Sequence, residues 1–125
     1  MQVVNTLKMI GLAVSDIPKA KAFYVDTLGL KITKDYQQDD DNWWVSLELP
    51  GGGTSINLSL EKNLKSGTLF GIYFQSPDIE AAHKELSDKG AKVGDVTNDL
   101  YGPGSGVKFF TLEDQDGNQV LLVEA

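Results

Sequence analysis

DIPKAKAFYVDTLGL, residues 16–30, returns in weaker form as DIEAAHKELSDKGA, residues 78–91. Asp16 and Asp78 are each followed by isoleucine and stand 62 positions apart. An aspartate at this place can cap a helix, because its carboxylate accepts hydrogen bonds from N–H groups that the first turn leaves unpaired. Both stretches close near a glycine, Gly29 and Gly90, the residue that stops a helix at least steric cost. Between the caps, Ala20, Phe23, Tyr24 and Leu28 recur at helical spacing and predict one buried stripe over residues 17–28. Pro18 falls in the first turn, where its missing N–H costs little.

Working outward, each helix follows an apolar run (LKMIGLAV, then TLFGIYFQS) and precedes three further strand-like runs. In the first half these are residues 30–36, then WWVSLELP and TSINLSL, separated by QQDDDN and PGGGT. Strict alternation puts Val45 and Leu47 on one face and Trp44, Ser46 and Glu48 on the other; it likewise sets Ile56 and Leu58 against Asn57 and Ser59. In the second half they are AKVGDVT, VKFFTLED and NQVLLVEA, the last two joined by DQDGN, whose Asp-Gly supports a tight turn. Trp44 matches Phe109 and Ser46 matches Thr111 across the repeat. The expected fold class is therefore α+β: two tandem βαβββ modules, about 6–61 and 68–125, in one domain spanning residues 1–125. Their helix-free faces are expected to curl together into a cleft, the natural place for a ligand.

Composition narrows the function classes. Eleven lysines and arginines against eighteen aspartates and glutamates give a net charge of −7. That charge opposes phosphate backbones and anionic lipid, so neither nucleic acid nor membrane is expected as a partner. With no cysteine in the sequence, disulfides, thiolate metal sites and cysteine nucleophiles are excluded. No apolar run approaches the roughly 20 residues that span a bilayer. The opening MQVVNTLK has no charged segment followed by a long apolar one, so the expected location is cytoplasmic.

With these residues in place, the chain resembles the vicinal oxygen chelate superfamily of glyoxalases, bleomycin-resistance proteins and extradiol dioxygenases. VSDIPKAKAFYVDTLGL matches the family's opening signature and EDQDGNQVLLVE its closing motif, with Gln115 in place of the usual proline. The resemblance implies the paired-module fold and a homodimer. In metal-using members, His, Gln and Glu ligands come from four strand positions, carried over here to Ile10, Asn57, Ile72 and Leu121. Aliphatic side chains offer no lone pair, and one amide oxygen does not hold a divalent ion against its hydration shell. No metal and no other cofactor is therefore expected.

The remaining candidates follow from chemistry. His83, the only histidine, reads as a solvated helix residue. Glu48 and Glu113 occupy matching strand ends as a candidate carboxylate pair, against a reading as solvent-facing charges. Asp39, Asp40 and Asp41 read as a polar turn. GPGSG, residues 102–106, reads as a loop that could close over a ligand together with Tyr101. The expected site is an aromatic, weakly polar cleft lined by Trp44, Phe70, Ile72, Phe74, Tyr101 and Phe109, with Asn57, Ser59 and Thr111 as polar handles. The function it suggests is metal-independent binding of a hydrophobic or aromatic drug-like molecule, and the overall acidity points to a cationic one. The alternatives are a glyoxalase-like lyase or isomerase, a dioxygenase, or an interaction module that has lost its ligand.

Overall fold

In a computed structural model of the chain, describing residues 3, 4, 6–64 and 72–124, the sequence divides into two units, Met1–Leu64 and Lys65–Ala125. The first unit contains β1 (Met9–Val14), α1 (Ile17–Lys21), a π-helical continuation (Ala22–Thr27), β2 (Lys31–Gln37), β3 (Trp43–Glu48) and β4 (Ser55–Leu60). The second contains β5 (Ile72–Ser76), α2 (Ile79–Asp88), β6 (Lys92–Val93), β7 (Phe109–Glu113) and β8 (Gln119–Glu124). Each builds a four-stranded mixed sheet, ordered β1-β4-β3-β2 in one and β5-β8-β7-β6 in the other. The first strand of each pairs in parallel with the last, and the remaining pairs are antiparallel. This is the repeated βαβββ order expected from the sequence.

The caps form as the chemistry requires. Asp16 accepts a hydrogen bond from Lys19 N at 2.9 Å, and Asp78 accepts one from Ala81 N at 3.1 Å. The helices stop at Gly29 and Gly90, with φ of +85° and +82°. The first helix does not stay α-helical to Leu28 as its stripe predicts. After Lys21 it widens, and Leu28 N donates to Phe23 O five residues back at 3.0 Å. The wider turn reduces the angle between successive residues, so Phe23 and Tyr24 are both buried, ring edge to face at 4.9 Å.

One face of each sheet is covered by its helix. In the first unit Leu12, Val14, Val45, Leu47, Ile56 and Leu58 lie against Ile17, Ala20 and Tyr24, all buried. Each such aliphatic side chain contributes about 1.5–3 kcal/mol by leaving water. Phe110, Leu112, Val120 and Leu122 do the same beneath Ile79 and Leu86. The closing turn is held by Asp114, whose carboxylate accepts N–H groups of Asp116 and Asn118, both at 2.9 Å and both buried residues.

Two strands break the expected regularity. In β2 the pairing steps from Ile32 opposite Leu47 to Lys34 opposite Ser46, so Thr33 is an extra residue bulged out of the ladder. The stretch AKVGDVT, expected as a full strand, pairs only through Lys92 and Val93 before it loops out; it returns at Thr97, which bridges Phe109. Gly94 sits where these depart. It donates to Thr111 O at 2.8 Å, and a side chain there would come within 2.6 Å of Thr111 Oγ1.

His83 is half-buried and not the freely solvated residue expected. Its ring stands edge-on to buried Phe110 at 5.1 Å, and Nε2 lies 2.9 Å from the Gly94 carbonyl. The residues adjacent to it on α2 gave no sign of this, because the contact is made with β7 and the chain after β6.

Candidate functional site

The helix-free face of the first sheet is built by the alternate residues of its four strands. Register places two rows across it: Lys34, Ser46, Asn57 and Gly11 in one, Tyr36, Trp44, Ser59 and Ala13 in the next. Asn57, Ser59 and Trp44, each expected as ligand contacts, are thus neighbours on one open surface. Lys34 and Tyr36 join them because the Thr33 bulge shifts the phase of β2 by one residue. Sequence reading missed both. A period of two cannot follow a strand across a bulge, and ITKDYQ has no glycine to mark one.

The polar groups on this face are connected. Ser46 Oγ donates to Asn57 Oδ1 at 3.0 Å, and Asn57 Nδ2 reaches Ser59 Oγ at 3.5 Å. That arrangement fixes the amide, leaving its second N–H and the Ser59 hydroxyl free to address a ligand. Beside the row, the Trp44 and Tyr36 rings lie 5.8 Å apart with planes inclined by 34°. A hollow of about 290 Å³ is bounded by Met9, Lys34, Trp44, Ser46, Asn57 and Ser59. A second, of about 240 Å³, adjoins it and shares Trp44 and Ser59 while reaching Tyr36 and Asp41.

Charges around the hollows are mostly committed. Asp41 pairs with Lys62 at 2.8 Å. Asp39 accepts from Asn42 Nδ2 at 3.0 Å and from the backbone N–H groups of Asp41 and Asn42, which holds its carboxyl below the ordinary aspartate value. This is the polar turn expected at Asp39, Asp40 and Asp41. On the helix side of β2, Asp35 is held low by its hydrogen bond to Lys21 and then by the Trp43 indole, whose Nε1 donates at 2.7 Å. Lys21 also lies 5.1 Å above the Trp43 ring.

In the second unit, Phe109 and Thr111 hold the same phase on β7 and face away from α2, paired with Val123 and Leu121. Ile72 and Phe74, expected alongside them, do not. They pair with Val120 and Leu122 on the face that α2 covers, and Tyr73 and Gln75 are the outward residues of β5. The alternation itself marks this face: Ile72 and Phe74 share one phase and the more polar Tyr73 and Gln75 the other, and the apolar phase is the one that the helix covers. Tyr101 is 80% exposed in the loop before β7. Phe70 lies outside the described residues. Glu48 and Glu113 stand at exposed strand ends, and Glu113 lies 3.7 Å from Lys92.

The Glyoxalase/Bleomycin resistance protein/Dioxygenase superfamily profile matches residues 6–122, and the chain belongs to that family. A superfamily member from Sphaerobacter thermophilus shares 31% identity and a TM-score of 0.82, with 99% of this chain and 100% of that one covered. TnmS3, an antibiotic binding protein from Streptomyces sp. CB03234, shares 26% identity and a TM-score of 0.83 over 99% and 98%. A glyoxalase/bleomycin resistance protein from the same Streptomyces strain shares 28% at a TM-score of 0.75 over 94% and 99%. No curated protein matches the chain.

The family's metal does not fit the residues present. Ile10 and Ile72 fall on the helix-side phase of their strands, so the outward residues beside them are Met9, Gly11 and Tyr73. Together with Asn57 and Leu121 these supply no carboxylate and no imidazole. Among the described residues, no group of three or more His, Asp or Glu side chains converges as metal ligands would. Nor, among them, is any helix long and apolar enough to cross a membrane.

Proposed function

We propose that the protein binds a small, planar, hydrophobic or aromatic molecule on the open face of its first sheet, without a metal. The observation that carries this reading is the Trp44–Tyr36 ring pair standing beside the Ser46–Asn57–Ser59 hydrogen-bonded row. A flat ring gains dispersion and quadrupole contact against an indole, about 0.5–1.5 kcal/mol beyond its buried area. The fixed amide and hydroxyls then orient its polar substituents, a division of labour common to small-molecule sites. The 26% identical antibiotic binding protein supports the reading by analogy. The lyase, isomerase and dioxygenase alternatives call for a metal that the donor set does not suit, and no observation favours them. The protein is further read as a cytoplasmic homodimer; sedimentation at several concentrations tests the dimer.

The test is a panel of planar aromatic compounds and divalent metals, followed by thermal unfolding and tryptophan fluorescence. A ligand of the native state at a hundredfold excess over its Kd stabilises by ~2.7 kcal/mol, which raises Tm by about 10 °C in a chain of this size. Aromatic compounds are expected to do this and to quench Trp44. Stabilisation by metals alone would overturn the reading and restore the enzymatic one.

A further inference from the structure

We infer that the ligand of this hollow carries an anionic group, and that Lys34 selects it. The inference rests on the reading of the open face as an aromatic-ligand site and adds the charge of the ligand to it. Without the Thr33 bulge, the alternation begun by Ile32 would turn Lys34 toward the helix; with it, Lys34 stands opposite Ser46 and borders the larger hollow. Bulges commonly re-aim one side chain in this way.

The ammonium that arrives there is uncommitted. Lys21, Lys62, Lys84, Lys92 and Lys108 each pair with a carboxylate, whereas no ion pair is found for Lys34 among the described residues. No acidic residue among those described lines the larger hollow, and Asp41, which lines the adjoining one, is already matched by Lys62. The net charge of −7 argues for a cationic ligand only at long range. At physiological salt, exposed charges beyond about 8 Å are largely screened, so the local ammonium outweighs the total. A ring against Trp44 can turn a carboxylate or ionised phenol toward Lys34, with the Ser46–Asn57 row alongside as further hydrogen-bonding groups. The ligand class is therefore a planar aromatic acid.

Three probes of one shape separate the possibilities: 2-naphthoate, 2-naphthamide and 2-naphthylmethylammonium, titrated calorimetrically into the full chain and into Lys34→Met. For the unsubstituted chain, naphthoate is expected to bind about fivefold more tightly than naphthamide, the ratio expected of a partly exposed ion pair, with the ammonium weakest. In Lys34→Met that preference should vanish while naphthamide keeps its affinity. Equal binding of the three, tighter binding of the ammonium, or a preference that survives in Lys34→Met overturns the inference and leaves the aromatic site standing. Binding of none of them to the unsubstituted chain overturns the site and the inference together.

Discussion

Trp44 and Ser59 face each other across β3 and β4, and the indole and hydroxyl are shared by both hollows of the first sheet. On the proposed function, this pair is where apolar and polar recognition would meet. A planar molecule that spans the two hollows would, on the same reading, contact both.

Trp44→Ala is accordingly expected to weaken an aromatic ligand by about tenfold, from lost ring contact and buried area. Tyr36→Phe should leave affinity nearly unchanged, since it keeps the ring and removes a hydroxyl on a half-exposed residue. Calorimetric titration of both variants with one compound checks the contrast. An equal loss in Tyr36→Phe would show that the Tyr36 hydroxyl contributes as much as the Trp44 ring.

Gly94 is a packing site in the second unit. A methyl group there would meet Thr111 Oγ1 at 2.6 Å, and threonine has little rotamer freedom with which to yield. Gly94→Ala is expected to cost about 1–3 kcal/mol, as overpacking does. Thr111→Ala in the same chain should recover part of that, which denaturant unfolding of the single and double variants measures. Simple additivity would place the strain elsewhere.

Asp35 supplies a pH dependence. Hydrogen bonds from Lys21 and Trp43 lower its folded-state pKa below the ordinary 3.8, so the folded chain gains stability from the ionised form. That contribution is complete above the ordinary value and disappears as pH falls through it toward the folded pKa. Asp35→Asn should thus cost up to about 1 kcal/mol near neutrality, limited by solvent screening, and progressively less below about pH 4. Urea unfolding of both chains at neutral and acidic pH checks the sign; a loss that grows on acidification would reverse it.

What the sequence made legible was whatever local chemistry decides. Asp16 and Asp78 cap their helices because a cap involves only the next few residues. WWVSLEL and TSINLSL alternate cleanly, so Trp44, Asn57 and Ser59 fall on one face as expected. Ile72 and Phe74 stand apart, since their alternation with Tyr73 and Gln75 already marks the covered face; the other misses share a cause in long-range contact. Lys34 and Tyr36 take their face from a bulge, and His83 is placed by Phe110 and Gly94. None of these is encoded within its own few neighbours.

The claim that the first sheet's open face is the ligand site is tested most directly by mapping amide and indole NMR shifts during titration with 2-naphthoate. The expected result is a set of perturbations centred on the Trp44 indole N–H, the Asn57 side-chain amide and the backbone of Ser46 and Ser59. Saturable perturbations confined to residues away from that face, with these four unmoved, would contradict it.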